Sequence, residues 1–145
     1  MTNLANDVRA EIEELHRFFV RWFNGTIEKK ALEANFGARL HRDMHITFPD
    51  GNTLDRDTLL SGFAQAHASN SAFRIDIRDV KIAHEGMDTL LVSYEEWQRG
   101  AKSSEKSDTA RISTALLSRQ QPFVWFNIHE TWLPDTITSA DPFGF

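Results

Sequence analysis

The sequence predicts an α+β fold, with helices in the first half of the chain and mainly strands in the second. Apolar residues recur at spacings of three and four in much of the first 64 residues, and at spacings of two in stretches beyond residue 73. Turn residues separate the later strands at hairpin distances. We therefore expect three helices from the N-terminal half to pack on one face of a strongly bent antiparallel sheet. At 145 residues the chain is long enough for one such domain with a sizeable core.

The first two helices are predicted from one apolar stripe and from residues that begin and end helices. The stripe starts at Leu4 and ends at Asn24 and Gly25, which both tolerate the left-handed conformation of a helix C-terminus. Thr26 can cap a second helix, which we expect to run to about Leu40.

A short strand and a third helix come next. Polar and apolar side chains alternate over Asp43–Phe48, and Pro49–Asn52 is a strong turn signal. Asp55 or Asp57 can then cap the third helix, which Ser69–Ser71 closes.

The rest of the chain predicts four strands joined by hairpins. The alternation that begins at Phe73 slips by one residue at Asp79, which predicts a bulge. Further strands are expected over residues 89–98, 109–118 and 123–133, with a solvated hairpin tip over residues 99–108. We expect one domain over residues 1–133 and a loose tail over residues 134–145, in which Phe143 and Phe145 are candidates to dock.

Composition excludes several classes of partner. The net charge is −5 with both signs mixed along the chain, so we expect no nucleic-acid partner. No run of 18 apolar residues exists, which predicts no membrane partner, and the N-terminus lacks the pattern of a signal peptide. The absence of cysteine excludes disulfides and thiol catalysis. A cytoplasmic location fits these observations.

The last predicted strand carries aromatic side chains on both faces if its pleat is regular. One face would present Val124, Phe126, Ile128, Glu130 and Trp132, and the other Phe123, Trp125, Asn127, His129, Thr131 and Leu133. Neither face suits water, and the helices of one domain cover only one. We therefore expect a second copy of the chain to cover the other face in a homodimer.

Three stretches resemble the nuclear transport factor 2-like (cystatin-like cone) superfamily. They are the aromatic cluster Phe18–Phe23, the strand that enters Pro49–Gly51 just before a helix, and Trp125–Trp132. The last is similar to the terminal strand of the polyketide-cyclase-like (SnoaL-like) branch and to the association domain of calcium/calmodulin-dependent kinase II. The resemblance implies a cone with a deep pocket between helices and sheet, and commonly a homodimer through the outer sheet face. It does not fix an activity.

One catalytic pattern of this superfamily is absent. Ketosteroid isomerases with this fold place a carboxylate base just before a proline at the end of the first strand. Here Phe48 holds that position and Asp50 follows the proline, while the single tyrosine, Tyr94, lies in a later strand. We expect no isomerase of that kind.

The strongest candidates for chemistry are His129 and Glu130 on the last strand. An imidazole with a pKa near neutrality can act as a general base, and an apolar wall can raise the pKa of Glu130 so that it acts as an acid or base. The structural alternative for His129 is a hydrogen bond within the sheet or a place at the dimer seam. The alternative for Glu130 is an ion pair with Arg111 or Arg78.

Four further residues are candidates for contact with a ligand: Tyr94, His45, Trp22 and Phe48. Each could instead only pack in the core or form a hydrogen bond within the sheet. No helix carries two histidines at metal-ligand spacing and the chain has no cysteine, so we predict no metal site and no cofactor.

Three functions fit the sequence. The first is a homodimeric protein that binds a small apolar or aromatic molecule in a pocket. The second is a cofactor-free cyclase, dehydratase or isomerase that uses His129 or Glu130 as its acid or base. The third is a dimerisation or assembly domain.

Overall fold

The computed structural model describes residues 3–102, 104–140 and 143–145, and it has the predicted α+β fold. Its helices are α1 Leu4–Asn24, α2 Ala31–Asn35, α3 Arg56–Gln65 and α4 Asp135–Thr138, with one 3-10 turn at Gly37–Arg39. Its strands are β1 Leu40–Thr47, β2 Thr53–Asp55, β3 Arg74–Glu85, β4 Thr89–Arg99, β5 Thr109–Ser118 and β6 Trp125–Trp132.

These strands form a single sheet in the order β2-β1-β6-β5-β4-β3. The sequence predicted antiparallel pairing, and each neighbouring pair is antiparallel except β1 and β6, which are parallel. Helix α1 packs along β3, and α3 packs against β1 and β2. The helices therefore cover one face of the sheet, which we call the inner face, and the main core lies between them.

Helix α1 has the predicted length and ends. The Asn3 side chain accepts a hydrogen bond from the Ala5 amide at 2.9 Å, and Gly25 closes the helix with a φ of 78°. A Cβ at Gly25 would also lie 2.7 Å from the Ala68 Cβ, so the position needs glycine for space as well as for conformation.

The long second helix predicted from Thr26 to Leu40 is wrong. Helix α2 has only five residues, and Phe36 leaves the helical conformation with φ −123° and ψ −60°. This backbone buries the Phe36 ring 4.9 Å from the Phe19 ring and 4.8 Å from the Phe63 ring. Burial of one large ring thus outweighs the continuation of a short helix.

The segment after α2 forms more strand than its pattern predicted. Strand β1 begins at Leu40, and after the predicted turn the unpredicted strand β2 pairs back on β1. Asp55, one of the two candidate caps, begins α3 by accepting a hydrogen bond from the Thr58 amide at 2.8 Å.

The register shifts at three places in the later strands. The slip predicted at Asp79 is confirmed, since Asp79 has a φ of 55° and the β3–β4 register shifts between Arg78 and Lys81. The other two shifts were not predicted, and one of them lies between Ile82 and His84 in β3. In β6 the register against β5 shifts between Leu116 and Leu117, which leaves Phe126 as the extra residue.

The bulge at Phe126 corrects the predicted faces of the last strand. Trp125, Ile128 and Glu130 all point to the inner face and are buried, although strict alternation would separate Trp125 from the other two. Beyond the bulge the outer face of β6 presents polar, exposed side chains: Asn127, His129 and Thr131. The prediction that both faces are aromatic is therefore wrong.

The tail contains one short helix, α4, and aromatic residues that pack on the domain. The Phe143 ring lies 5.0 Å from the Trp97 ring, and Arg99 lies 5.3 Å from the Phe145 ring. Residues 141 and 142 of the predicted tail lie outside the described residues.

Candidate functional site

A cavity of about 490 Å³ lies between the inner face of the sheet and helices α1 and α3. Six phenylalanines contribute to its wall: Phe19, Phe23, Phe36, Phe48, Phe63 and Phe73. Ser69 and Lys102 are exposed lining residues and mark an opening. The volume and the apolar wall are those of a pocket for a small organic molecule.

A buried ion pair between α1 and β4 forms one part of the polar base of this cavity. His16 Nε2 lies 3.0 Å from Glu96 Oε1, and His16 Nδ1 donates to the Ile12 carbonyl at 2.7 Å. The Gln98 amide donates to the second oxygen of Glu96. Both partners of the pair are buried.

A second buried ion pair lies beside the first, between β5 and β6. Arg111 Nη1 donates to Glu130 Oε1 at 3.0 Å, and the Ser113 hydroxyl donates to Glu130 Oε2 at 3.2 Å. Arg111 was one of the two partners predicted for Glu130; the other, Arg78, pairs with Asp76 instead.

The strand register brings these groups together. Glu96 lies opposite Arg111 in the β4–β5 pair, Tyr94 lies opposite Ser113, and Ser113 lies opposite Glu130 in the β5–β6 pair. Their side chains therefore share the inner face in two adjacent rows across three strands. Helix α1 adds His16 from above.

The two buried carboxyls have opposite pKa shifts. Burial and the neighbouring Glu96 charge raise the pKa of Glu130 to about 7, although Arg111 and Ser113 act against this. Burial opposes ionisation of Glu96 as well, but the charges of His16 and Arg111 and the hydrogen bonds outweigh it and lower that pKa to about 2. Two carboxyls whose environments separate their pKa values in this way can take different chemical roles.

His16 and Tyr94 are shifted by the same cluster. Burial opposes protonation of His16, but the Glu96 carboxylate outweighs it and raises the pKa of His16 above 6.5. Burial and the charges of Glu96 and Glu130 raise the pKa of the Tyr94 phenol well above 10. The cavity base therefore offers an imidazolium, a neutral phenol, and a carboxyl that exchanges its proton near neutral pH.

The structure places three of the six predicted site residues in the cavity wall. Glu130, Tyr94 and Phe48 line it. Trp22 is buried beside the cavity and donates its indole N–H to the Phe63 carbonyl at 2.7 Å, so it supports the wall without forming it.

The other two predicted residues lie outside the cavity. His129 is exposed on the outer face of β6, and His45 is exposed on β1, where its Nδ1 lies 2.9 Å from the Asp43 carbonyl oxygen. The sheet pleat sends both side chains away from their buried neighbours Ile128 and Ile46.

Sequence reasoning missed His16 and Glu96, although each had a signal. His16 follows Ile12 by four residues and precedes Phe19 by three, so it shares the apolar face of α1. Glu96 shares the phase of Val92 and Tyr94 in β4 and therefore points to the inner face.

Two negative observations apply to the described residues. They contain no group of three or more histidine, aspartate or glutamate side chains placed to hold a metal ion. Within the same ranges, no helix combines the length and the apolar character that crossing a membrane requires.

Comparison with known proteins finds two curated relatives, and no family model matches the chain. Sucrose-phosphatase 2 of Nicotiana tabacum is 27% identical over 131 residues, which cover 85% of this chain and 30% of the relative. Sucrose-phosphatase 1 of the same plant is 26% identical over 137 residues, 89% of this chain and 31% of the relative. The chain thus spans about a third of the length of these relatives.

Solved structures share the fold over nearly the whole chain. An NTF-2 like protein of unknown function from Pseudomonas aeruginosa has a TM-score of 0.77 and 27% identity, covering 88% of this chain and 98% of that one. A CaMKII hub from S. rosetta has a TM-score of 0.70 and 11% identity, covering 92% and 99%. A protein with a cystatin-like fold from Caulobacter vibrioides has a TM-score of 0.66 and 13% identity, covering 93% of each chain. The resemblance found in the sequence is confirmed: this chain has the nuclear transport factor 2-like, cystatin-like fold.

Proposed function

We propose that this protein binds a small molecule with an aromatic or apolar body and one polar end. The observation that carries the proposal is the phenylalanine-walled cavity with two buried ion pairs at its base. Such a wall accepts an apolar body without specific contacts, while a few fixed polar groups orient the ligand. Glu130, Arg111 and the Tyr94 hydroxyl are the groups that would meet the polar end.

The cavity supports the binding of a sugar phosphate, as the name of the two sucrose-phosphatase relatives would suggest, less well than the binding of an apolar molecule. A sugar phosphate presents hydroxyl and phosphate groups over its whole surface. The cavity wall offers six phenyl rings, which cannot hydrogen-bond to those hydroxyls. A sucrose phosphate is therefore the natural negative control in a binding experiment.

The first prediction is that an apolar dye binds in the cavity. We expect the fluorescence of the neutral dye N-phenyl-1-naphthylamine to rise saturably, with one site per chain. Ala66 lines the cavity, so Ala66→Phe fills part of it and should weaken binding at least about tenfold. Ala64 lies two residues earlier, exposed near the end of α3, and does not line the cavity, so Ala64→Phe should leave the affinity unchanged. Equal affinities of the two variants would place the dye elsewhere.

Acid-base catalysis is the second candidate function, and the specific observation in its favour is the pKa of about 7 at Glu130. A group that exchanges its proton near neutral pH inside an apolar cavity is suited to proton transfer at a bound carbonyl compound. If the protein has this function, Glu130 and not His129 is the acid or base, because His129 faces away from the cavity. Deuterium exchange next to the carbonyl of a bound aryl ketone, measured with and without Glu130→Gln, would separate catalysis from binding alone.

We also propose that two copies assemble through the outer face of the sheet. Leu91 and Ile112 are each 37% exposed there, and the half-buried Leu116 lies opposite Leu91 and four residues from Ile112 along β5. The polar outer side of β6 makes this face less apolar than the sequence predicted. The support is therefore the apolar patch on β4 and β5, together with the CaMKII hub among the proteins of similar fold.

The second prediction tests this assembly. Light scattering at low micromolar concentration should report about twice the chain mass, since the interface would bury about 800 Å² per subunit. Ile112→Asp places a charge in the apolar patch and should give a monomer. Met87 is 92% exposed at the turn between β3 and β4, so Met87→Asp should remain dimeric. A monomeric wild-type protein would contradict the proposal.

A further inference from the structure

The hydrogen bonds at the cavity base fix the charge of the His16–Glu96 pair. A carbonyl oxygen only accepts hydrogen bonds, so His16 Nδ1, at 2.7 Å from the Ile12 carbonyl, carries a hydrogen. A second hydrogen must lie between His16 Nε2 and Glu96 Oε1, which are 3.0 Å apart. Whichever atom holds it, the pair has no net charge.

The charge of the Arg111–Glu130 pair, in contrast, depends on one proton. The guanidinium of Arg111 is always charged, so the pair is neutral with Glu130 ionised and carries +1 with Glu130 protonated. Arg111 also has an unused hydrogen-bond donor, because its buried Nε–H has no hydrogen-bond partner among the described residues. The site can therefore become a positively charged pocket with an unused donor.

The remaining charged and titratable groups of the cavity wall do not cancel this charge. They are His16 from α1, Tyr94 and Glu96 from β4, and Lys102 from the segment after β4. His16 and Glu96 cancel each other, Tyr94 is neutral, and Lys102 adds a positive charge at the opening. A single negative charge on a ligand would thus be balanced once Glu130 is protonated.

We propose that the cavity binds an aromatic monocarboxylate, whose carboxylate pairs with Arg111, and that Glu130 takes up one proton from solvent when this ligand binds. Two carboxylates beside one guanidinium in an apolar cavity would leave one of them unpaired, which is costly. Protonation removes that cost and makes Glu130 a donor to the ligand oxygen. The phenylalanine wall takes the aromatic ring. This inference rests on the ligand-binding function proposed above and names its ligand class.

The test is calorimetric titration of the wild-type protein with 2-naphthoate and with 2-naphthamide, which has the same rings and no charge. Between about pH 6 and about pH 9 we expect the naphthoate affinity to fall, approaching about tenfold per pH unit at the upper end. Buffers of different ionisation enthalpy should report up to about one proton taken up per naphthoate bound. The amide should bind with little pH dependence. Glu130→Gln, which cannot take up this proton, should bind naphthoate with no proton uptake.

The possible failures are distinguishable. Naphthoate binding without proton uptake at about pH 8, or tighter binding of the amide than of naphthoate at about pH 6, overturns the inference and leaves the pocket in place. Binding of the neutral dye without binding of naphthoate does the same. Failure of the dye, the amide and naphthoate to bind overturns both the inference and the proposed ligand-binding function.

Discussion

At about pH 8, Arg111→Met is expected to destabilise the protein by about 3–5 kcal/mol, because it removes the positive partner of a buried carboxylate. Arg111 and Glu130 are both buried, and Glu96 already places a second carboxyl beside them. Methionine keeps much of the volume of the arginine stem, so the loss reports charge more than packing. The measurement is the free energy of unfolding in urea, followed by far-ultraviolet circular dichroism.

The pH dependence of this loss has a definite sign. Removal of Arg111 also removes an interaction that lowers the pKa of Glu130, so this pKa rises further above its ordinary value of 4.5. A carboxyl whose folded-state pKa is raised contributes stability at low pH and loses it as pH rises through that pKa. The destabilisation by Arg111→Met should therefore be smaller at about pH 5 than at about pH 8.

Two controls separate this effect from ordinary ion-pair loss. Arg119 pairs with Glu85 at the same distance of 3.0 Å, but these side chains are 40% and 51% exposed. Arg119→Met should cost no more than about 1 kcal/mol. The double variant Arg111→Met, Glu130→Gln removes both charges and should be more stable than Arg111→Met alone. Equal losses in the Arg111 and Arg119 variants would show that burial does not govern the strength of this pair.

The elements that could be predicted from the sequence are those fixed by local patterns. Helix α1, the hairpins of the second half and the bulge at Asp79 are each visible in the spacing of apolar residues. The parallel pairing of β1 with β6 joins segments that are far apart in the sequence. The length of α2 depends on where the Phe36 ring is buried. No local pattern contains either kind of information.

The site was predictable in part, for a related reason. Glu130 and its partner Arg111 could be named because a carboxylate between apolar neighbours needs a positive charge. The pairing of His16 with Glu96 joins α1 to β4, and only the packing of the helix on the sheet brings those two residues together. The function that we propose for the cavity rests on this assembled cluster and on no single motif.

Because of the unpredicted bulge at Phe126, Trp125 points into the core, and its replacement is the second change with a large expected loss of stability. Its ring has no exposed surface, and its indole N–H donates to Glu11 Oε2 at 2.8 Å. Trp125→Ala should therefore cost about 3–5 kcal/mol, through the lost burial and the cavity left behind. Trp132 on the same strand is 40% exposed and stacks on Arg111 at 4.8 Å. Trp132→Ala should cost about 1 kcal/mol, mainly from the lost contact with the guanidinium.

The contrast between the two tryptophans distinguishes the bulged strand from a regular one. A regular strand would turn Trp125 to the face opposite Ile128 and Glu130, whereas Trp132 lies beyond the bulge, shares the face of those two residues in either case and serves as the reference. Urea unfolding monitored by circular dichroism, which does not depend on either tryptophan as a probe, measures both losses on one scale. Trp125→Phe gives a further check, because it keeps one ring in the core but removes the hydrogen bond to Glu11 and part of the buried ring volume. Its loss should fall between those of Trp125→Ala and the wild type. A larger loss for Trp132→Ala than for Trp125→Ala would mean that β6 lacks the bulge and that the base of the cavity has a different set of residues.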